Sequence, residues 1–146
     1  MKALIQRVSW SRVEVDGREI SAIGPGLMVL LGVADPDEDQ DAEYMASKTA
    51  SLRIFKDPEG KMNLSVKDTG GEVLVISQFT LVADTRKGNR PGFGNGAPPH
   101  RAERLYERFV QELRDLGVAV KKGVFGADMA VSLCNDGPVT ILLESK

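Results

Sequence analysis

Residues 73–81 read VLVISQFTL, an apolar run that ends in polar residues. Four consecutive aliphatic residues are typical of a buried strand, and the pattern predicts one over 72–82. Gln78 and Thr80 would lie near its end and share one face by alternation. If the strand bends here, the backbone N–H groups of Phe79 and Thr80 can converge on a pocket, as a developing oxyanion requires. Without a bend, Thr80 is an ordinary strand residue and Gln78 a surface amide.

A second strand-like stretch is interrupted by polar and backbone-special residues near the end of the chain, at NDGPVT, residues 135–140. Gly137 and Pro138 separate two strand-like runs, 129–134 and 139–143. Proline cannot donate a hydrogen bond to a sheet, so the pair predicts a turn, a bulge or a cis peptide bond with exposed carbonyls. A tight turn without a functional role is the plain alternative.

The remaining pattern predicts many short strands and two amphipathic helices. Asp16-Gly17 is a two-residue hairpin signal, and the continuous apolar run 27–31 belongs in the centre of a sheet. Small and apolar residues recur at helical spacing over 42–52, and a second apolar helix face over 102–116 ends at Gly117. Further strands are predicted near 3–8, 12–15, 62–66 and 118–121, and a long loop over 84–99. This combination is typical of an α+β domain.

Length and composition indicate one globular domain over residues 1–146. Hydrophobic residues make up 42% and charged residues 27% of the chain, and no apolar run approaches the ~20 residues of a membrane helix. The N-terminus lacks the long apolar region of a signal peptide, so a cytoplasmic protein without a membrane partner is expected. With one cysteine and one histidine, the chain is expected to bind no metal and to need no cofactor.

The single histidine and the single cysteine are not expected to be catalytic. A Ser-His or Cys-His mechanism needs an imidazole beside the nucleophile, whereas His100 follows Pro98-Pro99 at the start of the second helix. Cys134 lies in an apolar run and is predicted to be a small core residue. The glycine-rich segment 92–96 lacks both the preceding strand and the Lys-Ser/Thr of a phosphate-binding loop.

Charge is unevenly distributed along the chain. The formal net charge is −2, which argues against binding nucleic acid by bulk attraction alone. Residues 86–108 include six basic and two acidic residues, a local balance of +4, whereas 35–43 holds six acids and no base. The acidic run is interpreted as solvated surface. The basic segment follows the SQFTL strand and is expected to contact phosphates, with solvated surface as the alternative.

Because it carries SQFTL at 77–81 and NDGPVT at 135–140, the chain resembles the D-aminoacyl-tRNA deacylase family, whose members hydrolyse D-amino acids from mischarged tRNA. The resemblance also includes ALIQRV at 3–8, GKMNL at 60–64 and RKG at 86–88, and it extends over nearly the whole chain. It implies a layered β/β/α fold with mostly antiparallel, barrel-like sheets and two main helices on one side. It also implies a homodimer that acts on the 3′-terminal adenosine of aminoacyl-tRNA.

The same resemblance implies substrate-binding residues. The Gly137-Pro138 bond is expected to be cis, with both carbonyls projecting into the partner subunit's pocket. There they would hold the α-amino group of the substrate and leave no room for the side chain of an L-amino acid. Arg7 is expected to orient these carbonyls, an exposed strand arginine being the alternative. Ser77 is expected to bind substrate, and Met129 to pack either on the terminal adenine or in the core.

The predicted function is therefore hydrolysis of the ester between tRNA and a D-amino acid, or glycine, as chirality proofreading. Gln78, Phe79 and Thr80 are the predicted catalytic residues. No base is evident beside Thr80, which favours a positioning hydrogen-bond donor over a covalent nucleophile, with the substrate's own 2′-OH or an ordered water assisting. Two rival functions are a non-catalytic RNA-binding module, for which 5% aromatic residues are few, and a D-amino-acid esterase that never contacts RNA.

Overall fold

One long strand, β1 (Lys2–Val15), organises the sheet of this protein. The computed structural model describes residues 1–145, so the predicted domain range of 1–146 extends to Lys146, outside the described residues. Ala3 and Ile5 of β1 are fully buried because every second side chain of a strand faces the same side. The other elements, in chain order, are β2 (Arg18–Ile23), β3 (Gly26–Gly32), α1 (Asp39–Ser51), β4 (Phe55–Lys56), β5 (Met62–Leu64), α2 (Val66–Thr69), β6 (Glu72–Ser77), a 3₁₀ turn (Phe79–Val82), α3 (Pro99–Asp115), β7 (Ala119–Lys122) and β8 (Ala130–Glu144).

The sheet mixes antiparallel and parallel pairs and nearly closes on itself. β1 pairs antiparallel with β2, β3 and β8, whereas β3 pairs in parallel with β6, and β6 in parallel with β7. Ser21 Oγ donates to the Lys122 carbonyl at 2.6 Å and Lys121 Nζ to the Ala22 carbonyl at 2.7 Å, which joins β2 to β7. The predicted α+β fold with a barrel-like sheet is confirmed.

The central strands are buried on both faces, which explains their continuous apolar sequences. Leu27 and Val29 of β3 belong to the large core beneath the helices. Met28, between them, points the other way and packs with Leu74 and Ile76 of β6 in a smaller core inside the curved sheet. Because all residues of β3 but the partly buried Leu30 are buried, its sequence shows no polar alternation.

The two main helices, α1 and α3, cover the larger core. Ala42, Ala46 and Ala50 of α1 are fully buried, and their small side chains allow close packing. α3 ends where the sequence predicts, since Gly117 has a φ of +86° and its N–H donates to the Arg114 carbonyl at 2.9 Å. Among residues 1–145, every helix is too short or too polar to cross a bilayer.

Three details differ from the sequence-based expectations. β6 ends at Ser77 rather than continuing to Val82. The two predicted C-terminal strands form one strand, β8, which bulges opposite Arg7. Cys134, predicted to be a core residue, is exposed, because its neighbour Leu133 packs against the smaller core and successive side chains of a strand face opposite sides.

The acidic run and the basic helix face each other. The Arg104 guanidinium lies 2.5 Å from a carboxylate oxygen of Asp39, and Arg108 lies 2.6 Å from one of Glu43. These side chains are 41–57% exposed, so each pair adds little to stability. The pairs do neutralise part of the +4 segment. Arg86, in the preceding loop, is also paired, with Asp84 at 2.7 Å, so Lys87 and Arg90 remain the better candidates for phosphate contact.

A buried hydrogen bond fixes α3 on the sheet and gives a first prediction. Tyr106 Oη donates to the Val75 carbonyl at 2.9 Å, and burial raises the pKa of Tyr106 above its ordinary value. We expect Tyr106→Phe to lower the free energy of unfolding by about 0.5–1.5 kcal/mol, because one hydrogen bond is lost while the Val75 carbonyl keeps the Gly123 N–H at 3.1 Å. Urea unfolding of both proteins measures this. Equal midpoints and slopes would contradict a stabilising role for the bond.

Candidate active site

A cavity of 540 Å³ opens where β6 ends, within the size range of small-molecule sites. Four of the predicted site residues contribute to its lining: Ser77, Gln78, Phe79 and Met129. The start of α3, the loop before it and the loop before β8 supply most of the remaining lining. Other lining residues are Val33, Phe93, Ala102, Phe125, Asp128 and Val131.

The chain turns out of the sheet after Ser77, and a glycine on the neighbouring strand makes this turn possible. A Cβ atom on Gly32 would lie 3.0 Å from both the Gln78 carbonyl oxygen and the Leu81 Cβ. The Gln78 N–H still donates to the Leu31 carbonyl at 2.8 Å, as a continuing strand would. The Leu81 N–H then donates back to the Gln78 carbonyl at 3.2 Å, which closes the 3₁₀ turn.

This turn leaves two backbone donors without acceptors. The N–H groups of Phe79 and Thr80 are the first two of the 3₁₀ turn, and neither meets an acceptor within residues 1–145. The prediction that Gln78 and Thr80 share a strand face is wrong, because the strand has already ended. Instead, Gln78 Nε2 donates to Thr80 Oγ1. Thr80 is exposed and does not line the cavity, but its hydroxyl proton is left available for another acceptor.

The Gly137-Pro138 bond is cis, as expected, and both residues are exposed. They lie in a bulge of four residues, 136–139, opposite Arg7 of β1. Gly137 has a φ of +132°, a value that residues with a Cβ rarely adopt. The bulge therefore presents main chain rather than side chains to its surroundings.

Arg7 holds the base of this bulge. Only 5% of its surface is exposed, so the alternative of an exposed strand arginine is wrong. Its Nε donates to the Asp136 carbonyl at 3.1 Å, and its Nη1 donates to the Ile54 carbonyl at 2.6 Å. The guanidinium thus links the residue before Gly137 to a separate segment of the core.

Within one chain, the bulge and the cavity are separate. β8 reaches the cavity near its start, through Val131, whereas the bulge begins five residues further along the strand, at residue 136. Neither Gly137 nor Pro138 lines the cavity. The predicted site residues therefore form two groups. Ser77, Gln78, Phe79 and Met129 line the cavity, with Thr80 next to them in the 3₁₀ turn, whereas Arg7, Gly137 and Pro138 are at the bulge.

A sequence model of the family described as D-Tyr-tRNA(Tyr) deacylase matches residues 4–144. The chain belongs to this family. The D-aminoacyl-tRNA deacylases of Anaeromyxobacter dehalogenans and Heliobacterium modesticaldum are 59% and 57% identical to it over 146 residues. These matches cover 100% of this chain and 98% and 97% of the two relatives. Membership confirms the predicted enzyme class, a hydrolase that acts on ester bonds.

Two solved structures are similar to this member of the deacylase family. One, described as c-Myc DNA Unwinding Element Binding Protein, is 45% identical with a TM-score of 0.94, over 100% of this chain and 99% of that chain. The other, described as a probable eukaryotic D-amino acid tRNA deacylase, is 18% identical with a TM-score of 0.82, over 97% of both chains. At 18% identity the second similarity concerns the fold alone.

Sequence reasoning missed two residues that flank the deacylase bulge, Asn135 and Thr140. Asn135 Oδ1 accepts from the Val139 N–H at 3.0 Å, and Asn135 Nδ2 donates to Thr140 Oγ1 at 3.0 Å. These bonds tie the two ends of the bulge together across Gly137-Pro138. The sequence did contain a signal for these two residues. They begin and end the NDGPVT motif, and asparagine and threonine side chains often form hydrogen bonds with nearby backbone groups.

The cavity lining offers little acid–base chemistry. Asp128 is the one ionisable residue in it among residues 1–145. Near the adjoining loop, hydrogen bonds from Arg86 hold the pKa of the Asp84 carboxyl well below its usual range. The Asp84 carboxylate therefore stays ionised at neutral pH, and it lies 2.7 Å from Arg86 Nη2.

His100 gives the second prediction, since it is exposed on the first turn of α3 and does not line the cavity. We expect His100→Ala to leave the rate of ester hydrolysis unchanged at all pH values where the protein is folded. Initial rates from pH 6 to 9 measure this. A general base contributes ~10²- to 10⁴-fold, so a loss of that size would assign the histidine a catalytic role.

Proposed function

We propose that this chain hydrolyses the ester between a D-amino acid and the 3′-terminal adenosine of tRNA. Its membership of the deacylase family over nearly its full length is the observation that supports this most strongly. The cavity at the end of β6 supplies a site of suitable size, bordered by Phe79, the first of the two unpaired backbone donors. Activity in the cytoplasm, as a step of translation quality control, is part of the same proposal.

The proposed chemistry relies on positioning and on stabilising negative charge. Water adds to the ester carbonyl, the carbonyl oxygen becomes an oxyanion, and the bond to the ribose oxygen then breaks, giving free amino acid and a ribose hydroxyl. The N–H groups of Phe79 and Thr80 are the proposed donors to the oxyanion. The Thr80 hydroxyl, which already accepts a bond from Gln78, is a third donor.

Thr80 is proposed as a positioning donor and not as a nucleophile. Activation of a threonine hydroxyl requires a base within hydrogen-bond reach. The side chain that contacts Thr80 Oγ1 within residues 1–145 is the amide of Gln78, which donates and cannot accept the proton at that nitrogen. The substrate's own 2′-OH, or a water that it orders, is proposed to assist instead.

Selectivity is proposed to come from a second copy of the chain. Gly137 and Pro138 are exposed and lie away from the cavity of their own chain, so they are free to complete the cavity of a partner. Trp10 of β1 and Leu142 of β8, on either side of the bulge, are 44% and 53% exposed, and a partner subunit seated on these two strands would cover both. The bulge carbonyls would accept hydrogen bonds from the substrate ammonium and exclude an L side chain, while a D-amino acid or glycine fits.

Release of D-tyrosine from D-tyrosyl-tRNA tests the proposed function. Purified protein should release the amino acid well above the spontaneous rate, and the rate should fall steeply with salt, because phosphate contacts displace counterions. An esterase that ignores RNA would hydrolyse D-tyrosine methyl ester equally well, without salt dependence. A pure RNA-binding module would bind the tRNA and release nothing.

A further inference from the structure

We infer that Phe79 and Phe93 form a stacking platform for the base that precedes the terminal adenosine. This inference rests on the proposed function and names one more contact of the same site. The two rings come from different elements, yet their centroids lie 5.2 Å apart at an interplanar angle of 61°. Phe79 is 61% and Phe93 45% exposed, and both border the cavity. Two large apolar side chains left in solvent at the entrance of a cavity are typical of a binding surface.

The second ring is held in place by main-chain bonds. Gly92 and Asp84 exchange two backbone hydrogen bonds, of 2.7 Å and 2.9 Å, immediately before Phe93. The Gly96 N–H donates to the Phe93 carbonyl at 3.2 Å, immediately after it. Phe93 is therefore presented at a defined position beside the cavity.

Charge beside the rings identifies the class of ligand as single-stranded nucleic acid. The Gly92–Asp84 pair closes a loop that displays Lys87 and Arg90, and neither makes an ion pair within residues 1–145. Proteins commonly bind unpaired nucleotides with exposed aromatic rings and nearby cationic side chains. The bases stack on the rings and the phosphates contact the cations. The cavity is proposed to hold the terminal nucleoside. The base that precedes it in the RNA would therefore lie at the cavity entrance, beside the two rings.

Substrate length provides the test. Initial rates are compared for the D-tyrosyl esters of adenosine and of the dinucleotide CpA, with wild-type protein, Phe93→Leu and, as a matched control, Tyr44→Leu, an exposed aromatic on α1. We expect wild type to prefer the dinucleotide, and Phe93→Leu to lose about tenfold on the dinucleotide with a much smaller loss on the nucleoside. Phe93→Trp should retain the preference, and Tyr44→Leu should behave as wild type.

A binding measurement separates this inference from the proposed function. A short RNA with 2-aminopurine before the terminal adenosine should lose fluorescence on binding wild-type protein, and much less on binding Phe93→Leu. This readout does not depend on hydrolysis, so an inactive protein that quenches the probe would refute the proposed function alone. Equal losses on both esters together with unchanged quenching would overturn the platform. Conversion of Phe93→Leu to a monomer would also overturn it, because the ring would then belong to a subunit contact.

Discussion

Thr80→Ala should lower kcat for D-tyrosyl-tRNA by ~10²- to 10³-fold while KM changes little. This is the usual cost of removing one donor to a developing oxyanion. The substitution also removes the acceptor of the Gln78 side chain, but Thr80 is exposed, so the fold should persist. Single-turnover rates with saturating enzyme measure the chemical step directly.

Thr80→Ser is the matched control, since it keeps the hydroxyl that accepts from Gln78 and removes only a methyl group. It should retain most of the wild-type rate. Trapping of an aminoacyl ester on Thr80 during turnover would make the residue a nucleophile and refute the positioning role. A fully active Thr80→Ala protein would remove the hydroxyl from the mechanism altogether.

Gly137→Ala should reduce D-tyrosyl-tRNA hydrolysis by about 10²-fold. At a φ of +132° an alanine is strained by roughly 1–3 kcal/mol, and its Cβ would lie 2.9 Å from Val139 Cγ2 and 3.0 Å from Arg7 Nη2. The bulge must shift to relieve these contacts, and a displacement of about 1 Å at a substrate-positioning group costs a loss of this size. Thermal unfolding should show that the protein remains folded.

Mixing tests whether the bulge acts on the partner's cavity. Heterodimers of Thr80→Ala and Gly137→Ala subunits would contain one site with both changes and one with neither. Activity of the mixture should therefore rise well above that of either parent after subunit exchange. If bulge and cavity served the same chain, every site would carry one change and no recovery would be seen.

Much of the fold could be predicted from local sequence, because the patterns that predict it are local. The continuous apolar runs of β3 and β6 follow from burial on two faces, and the spacing over 102–116 follows from one buried helix face. Gly117 ends α3 because the chain there adopts a positive φ. SQFTL and NDGPVT are each contiguous in sequence, so both parts of the candidate site could be recognised in the same way.

The remaining features depend on contacts between distant segments. The turn at Phe79 requires the missing side chain of Gly32 on another strand. Burial of Arg7 requires a carbonyl acceptor 47 residues away, at Ile54. Pairing of Arg104 with Asp39 requires α1 and α3 to be neighbours. None of these contacts leaves a periodic signal in the sequence, so motif and pattern reasoning could not reveal them.

The most direct test of the account is a side-by-side comparison of D-tyrosyl-tRNA, L-tyrosyl-tRNA and glycyl-tRNA as substrates under single-turnover conditions. Because main-chain carbonyls are proposed to block an L side chain, we expect rapid hydrolysis of the D-ester and measurable hydrolysis of the glycyl ester. The L-ester should decay only at its spontaneous rate. Equal rates on the two tyrosyl enantiomers would contradict the proposed chirality filter.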